Sequence, residues 1–219
     1  MGALTFQESH IEADGFRIKY LAAGQGDPVA ILDSISGGIS KLQDALVQRY
    51  RVIVLELPGF GSSPANTKSS SAKDLSKVVA QATEKIIPEK YTLIGTSFGA
   101  NVALWHTLQS PDRVDALVLI SPTTLLPKGN PAADDREISA KEQELISRLD
   151  GKLHDGEAES RLSEIQCPTL VVFGSKDGLV AAGAASTYRR EIPNCHVSLV
   201  YDTGRLIEAE RPEALINTV

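Results

Sequence analysis

Short runs of branched aliphatic residues, each followed by a stretch of helical pattern, limit what this chain can fold into more than any other feature. Val29–Asp33, Arg51–Leu57, Tyr91–Ile94, Val114–Ile120, Thr169–Phe173 and His196–Tyr201 read as strands, with Phe16–Ala22 ahead of them. Most are apolar at successive positions, the pattern of strands whose two faces are both covered by helices. Helical patterns fall between them at Lys41–Gln48, Ala72–Ile87, Ser97–Gln109 and Leu179–Arg190, and another starts at Arg211. This alternation predicts an α/β protein, a mostly parallel, doubly wound sheet of about eight strands. Ligands of such sheets sit beyond the carboxyl ends of the strands, so function is to be sought in the loops there.

The 219 residues suit one domain spanning residues 1–219, with no repeat and no linker to divide it. Residues 122–166 break the rhythm. Ser139-Ala140-Lys141-Glu142 has capping-box spacing and opens a helix to about Leu149, and Glu157–Ile165 can form a second short one. An insertion leaving from the functional edge predicts a small helical cap over the site.

Gly95-Thr96-Ser97-Phe98-Gly99 lies between a strand and a helix and fits the pattern G-x-S-x-G. A turn that sharp strains its central residue, and the flanking glycines leave room for the chain to pass. It would present the Ser97 hydroxyl above the sheet while the helix start supplies N–H groups and positive potential to a developing oxyanion. Pro58-Gly59-Phe60-Gly61 lacks the further glycine and lysine of a phosphate cradle and reads as a structural turn.

With these residues the chain resembles the α/β-hydrolase fold family along essentially its whole length. Leu57-Pro58-Gly59-Phe60-Gly61-Ser62-Ser63 is similar to the family's loop at that point, and Pro168–Asp177 to its seventh strand and acid-bearing loop. Asp202-Thr203-Gly204-Arg205 with Glu210-Arg211-Pro212-Glu213 is similar to its last strand, histidine loop and final helix. The resemblance implies Ser97 as nucleophile, Asp177 as the acid that orients the base, and the Phe98 N–H as an oxyanion donor. Asp33, Ser34, Thr123, Leu179 and His154 would line the substrate pocket.

Two departures cut against that resemblance. The family's histidine position holds Arg205: Glu210 follows it by five residues and Pro212 by seven, as in the family pattern. A guanidinium stays protonated and cannot accept the serine proton. His106 lies ~13 Å along the helix from Ser97, His196 starts its strand ~17 Å below the functional edge, and His10 precedes the first strand, which leaves only His154 as a substitute. The second departure is Asp33-Ser34-Ile35-Ser36-Gly37-Gly38, where the family has His-Gly; the second oxyanion donor would come from Ile35 or Ser36, and an acidic Asp33 would oppose the oxyanion. Arg205 could pair with Asp33 or Asp177.

Charge and composition remove other classes of function. A net charge of −6 and 5% aromatic residues leave no basic, aromatic-lined surface for nucleic acid, and no apolar run reaches membrane-spanning length. The start of the chain lacks the basic and apolar regions of a secretion signal, so the expected location is the cytoplasm. Cys167 and Cys195 are expected as reduced, half-buried thiols. No metal-ligand spacing occurs, and no cofactor is implied. The partner expected is a small molecule, with neither nucleic acid nor membrane, and the oligomeric state is open. Two functions remain: hydrolysis of a small apolar ester or related acyl or C–C substrate, impaired by Arg205, or a non-catalytic pocket that binds a carboxylate.

Overall fold

The computed structural model describes residues 5–33, 38–61, 63–125, 155–177 and 183–219. Its eight strands form one sheet: β1 (Gln7–Ala13), β2 (Phe16–Ala23), β3 (Pro28–Asp33), β4 (Arg51–Glu56), β5 (Tyr91–Thr96), β6 (Val114–Ile120), β7 (Thr169–Gly174) and β8 (Cys195–Val200). They lie in the order β1-β2-β4-β3-β5-β6-β7-β8. Pairing is parallel from β4 through β8, and β1 and β2 join antiparallel at one edge. From β3 the chain moves outward to β4, then returns to β5 on the other side. In sheets of this kind such a reversal is where ligands bind, here beyond the carboxyl ends of β3 and β5.

Among the described residues the helices are α1 (Lys41–Leu46), α2 (Ala72–Ile86), α3 (Phe98–Gln109), α4 (Gly156–Ser160), α5 (Ala184–Glu191), α6 (Ile207–Glu210) and α7 (Pro212–Ile216). Alternate residues of each central strand feed two cores. Leu32, Leu55, Leu93 and Leu119 pack with α2 and α3, whereas Ile31, Val54, Ile94 and Val118 pack with Leu42 and Leu215 of α1 and α7. Every residue of α3 from Phe98 to Leu108 is buried, so this helix runs through the interior with no polar face. Two short helical turns, Gly156–Ser160 and Leu162–Glu164, stand where a second short helix was expected; the expected helix at Ser139–Leu149 lies outside the described residues.

The hairpin partner β1 corrects the sequence reading, which began the sheet at Phe16. Its residues are largely exposed and polar, so its apolar content is too thin to read as a strand. The cue is Asp14-Gly15, both with positive φ (49° and 75°), a two-residue turn that suits a twisted hairpin. Cys167 and Cys195 are free and half-buried. Among the described residues no helix is long and apolar enough to cross a membrane.

Candidate active site

The bend at Ser97 lies at the reversal in strand order, directly after β5. Ser97 precedes the first residue of α3 and has φ 49° and ψ −117°, a conformation costly for a residue with a side chain. Both glycines of the motif are required by contact. A Cβ on Gly95 would lie 2.5 Å from the Gly99 carbonyl oxygen, and one on Gly99 would lie 2.3 Å from the Leu32 carbonyl oxygen. The helix therefore starts directly against β3 and β5. Ser97 donates its N–H to the Ile120 carbonyl at 2.8 Å, tying the bend to the end of β6. The residue is 7% exposed and its side chain makes no cap hydrogen bond, so the hydroxyl is not spent on holding the helix.

Close packing at Gly99 has a measurable consequence. In Gly99→Ala the new methyl meets backbone on a central strand, which cannot move aside, at a cost of roughly 1–3 kcal/mol. The melting temperature should fall by about 3–10 °C in a calorimetric scan. An unchanged melting temperature would mean that the helix is not pressed against β3.

Phe98 begins the helix, and its N–H is among those that an α-helix leaves without an internal acceptor. Its ring stacks on Phe60, with centroids 5.7 Å apart, and both rings are buried. Phe60 comes from the Pro58–Gly61 turn, in which Gly59 and Gly61 both adopt positive φ. That turn buttresses the bend.

The loops after β7 and β8 meet beside it. A Cβ on Gly174 would lie 1.9 Å from the Gly204 carbonyl oxygen, so the two backbones touch there. Lys176 donates its N–H to Thr203 at 2.8 Å, Asp202 donates to the Ser175 hydroxyl at 2.9 Å, and Lys176 pairs with Asp202 outside. This stitching sets Arg205 against Asp177, Nη2 to Oδ1 3.7 Å, with the Asp177 side chain 2% exposed and that of Arg205 15%. Of the two acidic partners considered for Arg205, Asp177 is thus beside it, while the side chain of Asp33 lies outside the described residues. Ser121 donates its hydroxyl to the Arg205 carbonyl at 3.0 Å. Since Ser121 follows Ile120, the carboxyl end of β6 connects the loop of Arg205 with the bend of Ser97.

Thr123, expected in the pocket wall, is bound to its neighbours. Asn101 Nδ2 donates to its hydroxyl at 2.6 Å, and the Asn101 Oδ1 accepts from the Thr123 N–H and the Thr124 hydroxyl. Asn101, one turn after Ser97, was not read from the sequence. The cue was there: a buried amide in a mostly apolar helix needs partners. The Asp155 N–H donates to the Thr124 carbonyl at 3.0 Å, and Trp105 Nε1 donates to the Asp155 carboxylate at 2.7 Å. Thr124 and Asp155 are thus both tied to α3.

Ser34, Ile35, Ser36, His154 and Leu179 lie outside the described residues, as does the side chain of Asp33. His106 is fully buried, with its Nε2 2.6 Å from the Tyr91 hydroxyl, and it belongs to the core. Among the described residues no group of three or more His, Cys, Asp or Glu is placed to hold a metal ion. A groove of about 590 Å³ opens at the opposite, amino-terminal edge of the sheet, beside Val29, Thr92, Pro168 and Asn194; neither Ser97, Asp177 nor Arg205 borders it.

Residues 30–148 match a family model described as alpha/beta hydrolase fold. The chain is 26% identical over 268 aligned residues to the 2-hydroxy-6-oxononadienedioate/2-hydroxy-6-oxononatrienedioate hydrolase of Escherichia coli (strain K12), covering 97% of this chain and 93% of that one. Among solved structures, a serine hydrolase from the polyaromatic hydrocarbon-degrading bacterium Cycloclasticus zankles superposes with a TM-score of 0.80 at 15% identity, over 97% of this chain and 96% of that one. A carboxylesterase from Bacillus subtilis superposes with a TM-score of 0.75 at 17% identity, over 97% and 90%.

Proposed function

Because this chain belongs to the alpha/beta hydrolase fold family, we propose that it is a cytoplasmic hydrolase of a small apolar ester, or of a related acyl or C–C substrate, acting through Ser97 and impaired at the base position by Arg205. The observation that carries the reading is the strained conformation of Ser97 at the start of a buried helix, kept although φ 49° disfavours any side chain. In this mechanism the Ser97 oxygen attacks the substrate carbonyl, and the carbonyl electron pair moves onto its oxygen beside the Phe98 N–H. Ile35 or Ser36 supplies the second donor. The hydroxyl proton must then leave. Asp177, which would orient a histidine, instead faces a guanidinium that has no lone pair to offer. The proton passes to water or to the leaving group as the ester or C–C bond breaks, and water then hydrolyses the acyl-enzyme to release the acid and restore Ser97, so turnover is slow. Residues 122–166 act as the cap over this cleft, held at its root by Asn101 and Trp105. The hydrolases and esterases among the chain's relatives support a hydrolytic role.

The test is covalent labelling with an alkyl fluorophosphonate, read by peptide mass spectrometry. Over prolonged exposure the label accumulates slowly on Ser97, and Ser97→Ala takes none. Label on another serine, or none anywhere, overturns the proposal.

A further inference from the structure

Beside the same bend lies a cation with few acceptors among the described residues. A guanidinium carries five N–H donors in a rigid fork. Among the described residues the one charged partner of Arg205 is Asp177, and at 3.7 Å that contact is longer than a hydrogen bond. Its Nε is shut off from solvent and has no hydrogen-bond partner. The side chain is only 15% exposed, so water cannot make up the deficit in full. A cation so enclosed and so poorly matched is costly unless something supplies acceptors.

We propose that Arg205 anchors an anion and that the cleft takes a small carboxylate-bearing ligand, either the substrate of Ser97 or a regulator that competes with it. A carboxylate matches the guanidinium fork with two parallel hydrogen bonds, which one oxygen of Asp177 at 3.7 Å does not provide. Asp177 fixes the guanidinium from behind. The Ser121 hydroxyl holds the Arg205 backbone, and the neighbouring Ile120 carbonyl holds the Ser97 N–H, so anchor and hydroxyl hang from one strand end. Elsewhere the chain is acidic, with a net charge of −6, which weakens indiscriminate anion binding. The inference rests on reading this cleft as the ligand site, and it stands whether or not Ser97 turns substrate over.

The probes are sodium benzoate and its neutral isostere benzamide. Benzoate in the millimolar range should raise the melting temperature with a saturating dependence on concentration, and benzamide should leave it unchanged. Arg205→Gln should weaken benzoate binding by at least tenfold and Arg205→Lys by several-fold, while Arg189→Gln, at an exposed site, should bind as the unmodified chain does. Should the Arg205 variants fail to fold, benzoate must still slow fluorophosphonate labelling of Ser97 in the unmodified chain, with benzamide inert. Absence of a shift, equal binding of the amide, or binding that survives Arg205→Gln overturns the anchor. Binding without any labelling of Ser97 upholds the anchor and removes the hydrolase reading.

Discussion

Arg205→His should raise the rate of p-nitrophenyl butyrate hydrolysis by roughly a thousandfold, because it supplies the one group whose chemistry is missing. General-base assistance contributes about 10²–10⁴-fold, and loss of a nucleophile or base from an intact triad costs still more. The substitution leaves the loop's supports in place. The Ser121 hydroxyl binds the main-chain carbonyl at position 205, and the Gly204 N–H donates to Glu210 at 2.9 Å. Asp177 is already buried where it can accept from an imidazole N–H. The control is a non-additive pair. Ser97→Ala should lower the slow rate of the unmodified chain only several-fold, since without the base much of the remaining rate comes from oxyanion donors and binding. In the Arg205→His background the same substitution should erase the whole gain. If the folded Arg205→His variant stays at the background rate, the fault lies elsewhere in the site, with Asp33–Ser36 the first segment to test.

What could be read from the sequence here divides by the range of the interactions involved. The bend at Ser97 is written in five consecutive residues, because the clashes that demand Gly95 and Gly99 are local to one strand–helix turn. The neighbourhood of Asp177 and Arg205, 28 positions apart, was legible for another reason: both follow adjacent parallel strands, whose carboxyl ends must lie side by side. Side-chain partnerships between elements were not legible. Asn101 binds Thr123 and Thr124 beyond β6, and Phe60 of the turn after β4 stacks on Phe98, both fixed by relative element placement that no local pattern encodes. Strand β1 escaped because an exposed edge strand buries few residues, so its hydrophobic alternation is faint. The contact between Asp177 and Arg205 likewise rests on the close approach of the Gly174 and Gly204 backbones.

Acidification should destabilise this protein through His106, well above the pH at which carboxylates titrate. Burial on α3 pushes the His106 imidazole down to about 4, from an ordinary value of 6.5. The Arg113 guanidinium opposes its charging to a lesser extent, and the backbone at Ser76 on α2 favours it. Around the ring, Tyr91 of β5 lies 2.6 Å from Nε2 and also donates to Thr83 of α2. The fold therefore holds the neutral imidazole. Above pH 6.5 both folded and unfolded chains leave it neutral, and the contribution is fully present. As pH falls from 6.5 towards 4 only the unfolded chain takes up the proton, and the stability is lost. At about 1.4 kcal/mol per unit of depression, the loss approaches about 3 kcal/mol by pH 4. Glu208 works in the opposite sense, since burial raises its carboxyl and acid then favours the folded state, which makes its own effect separable in direction. Urea unfolding measured between pH 7 and pH 4.5 should show a steep fall in midpoint that is largely flattened in His106→Gln. If that variant keeps the parent's pH slope, the buried imidazole is not the group that loses the fold its proton balance, and another titration must account for the fall.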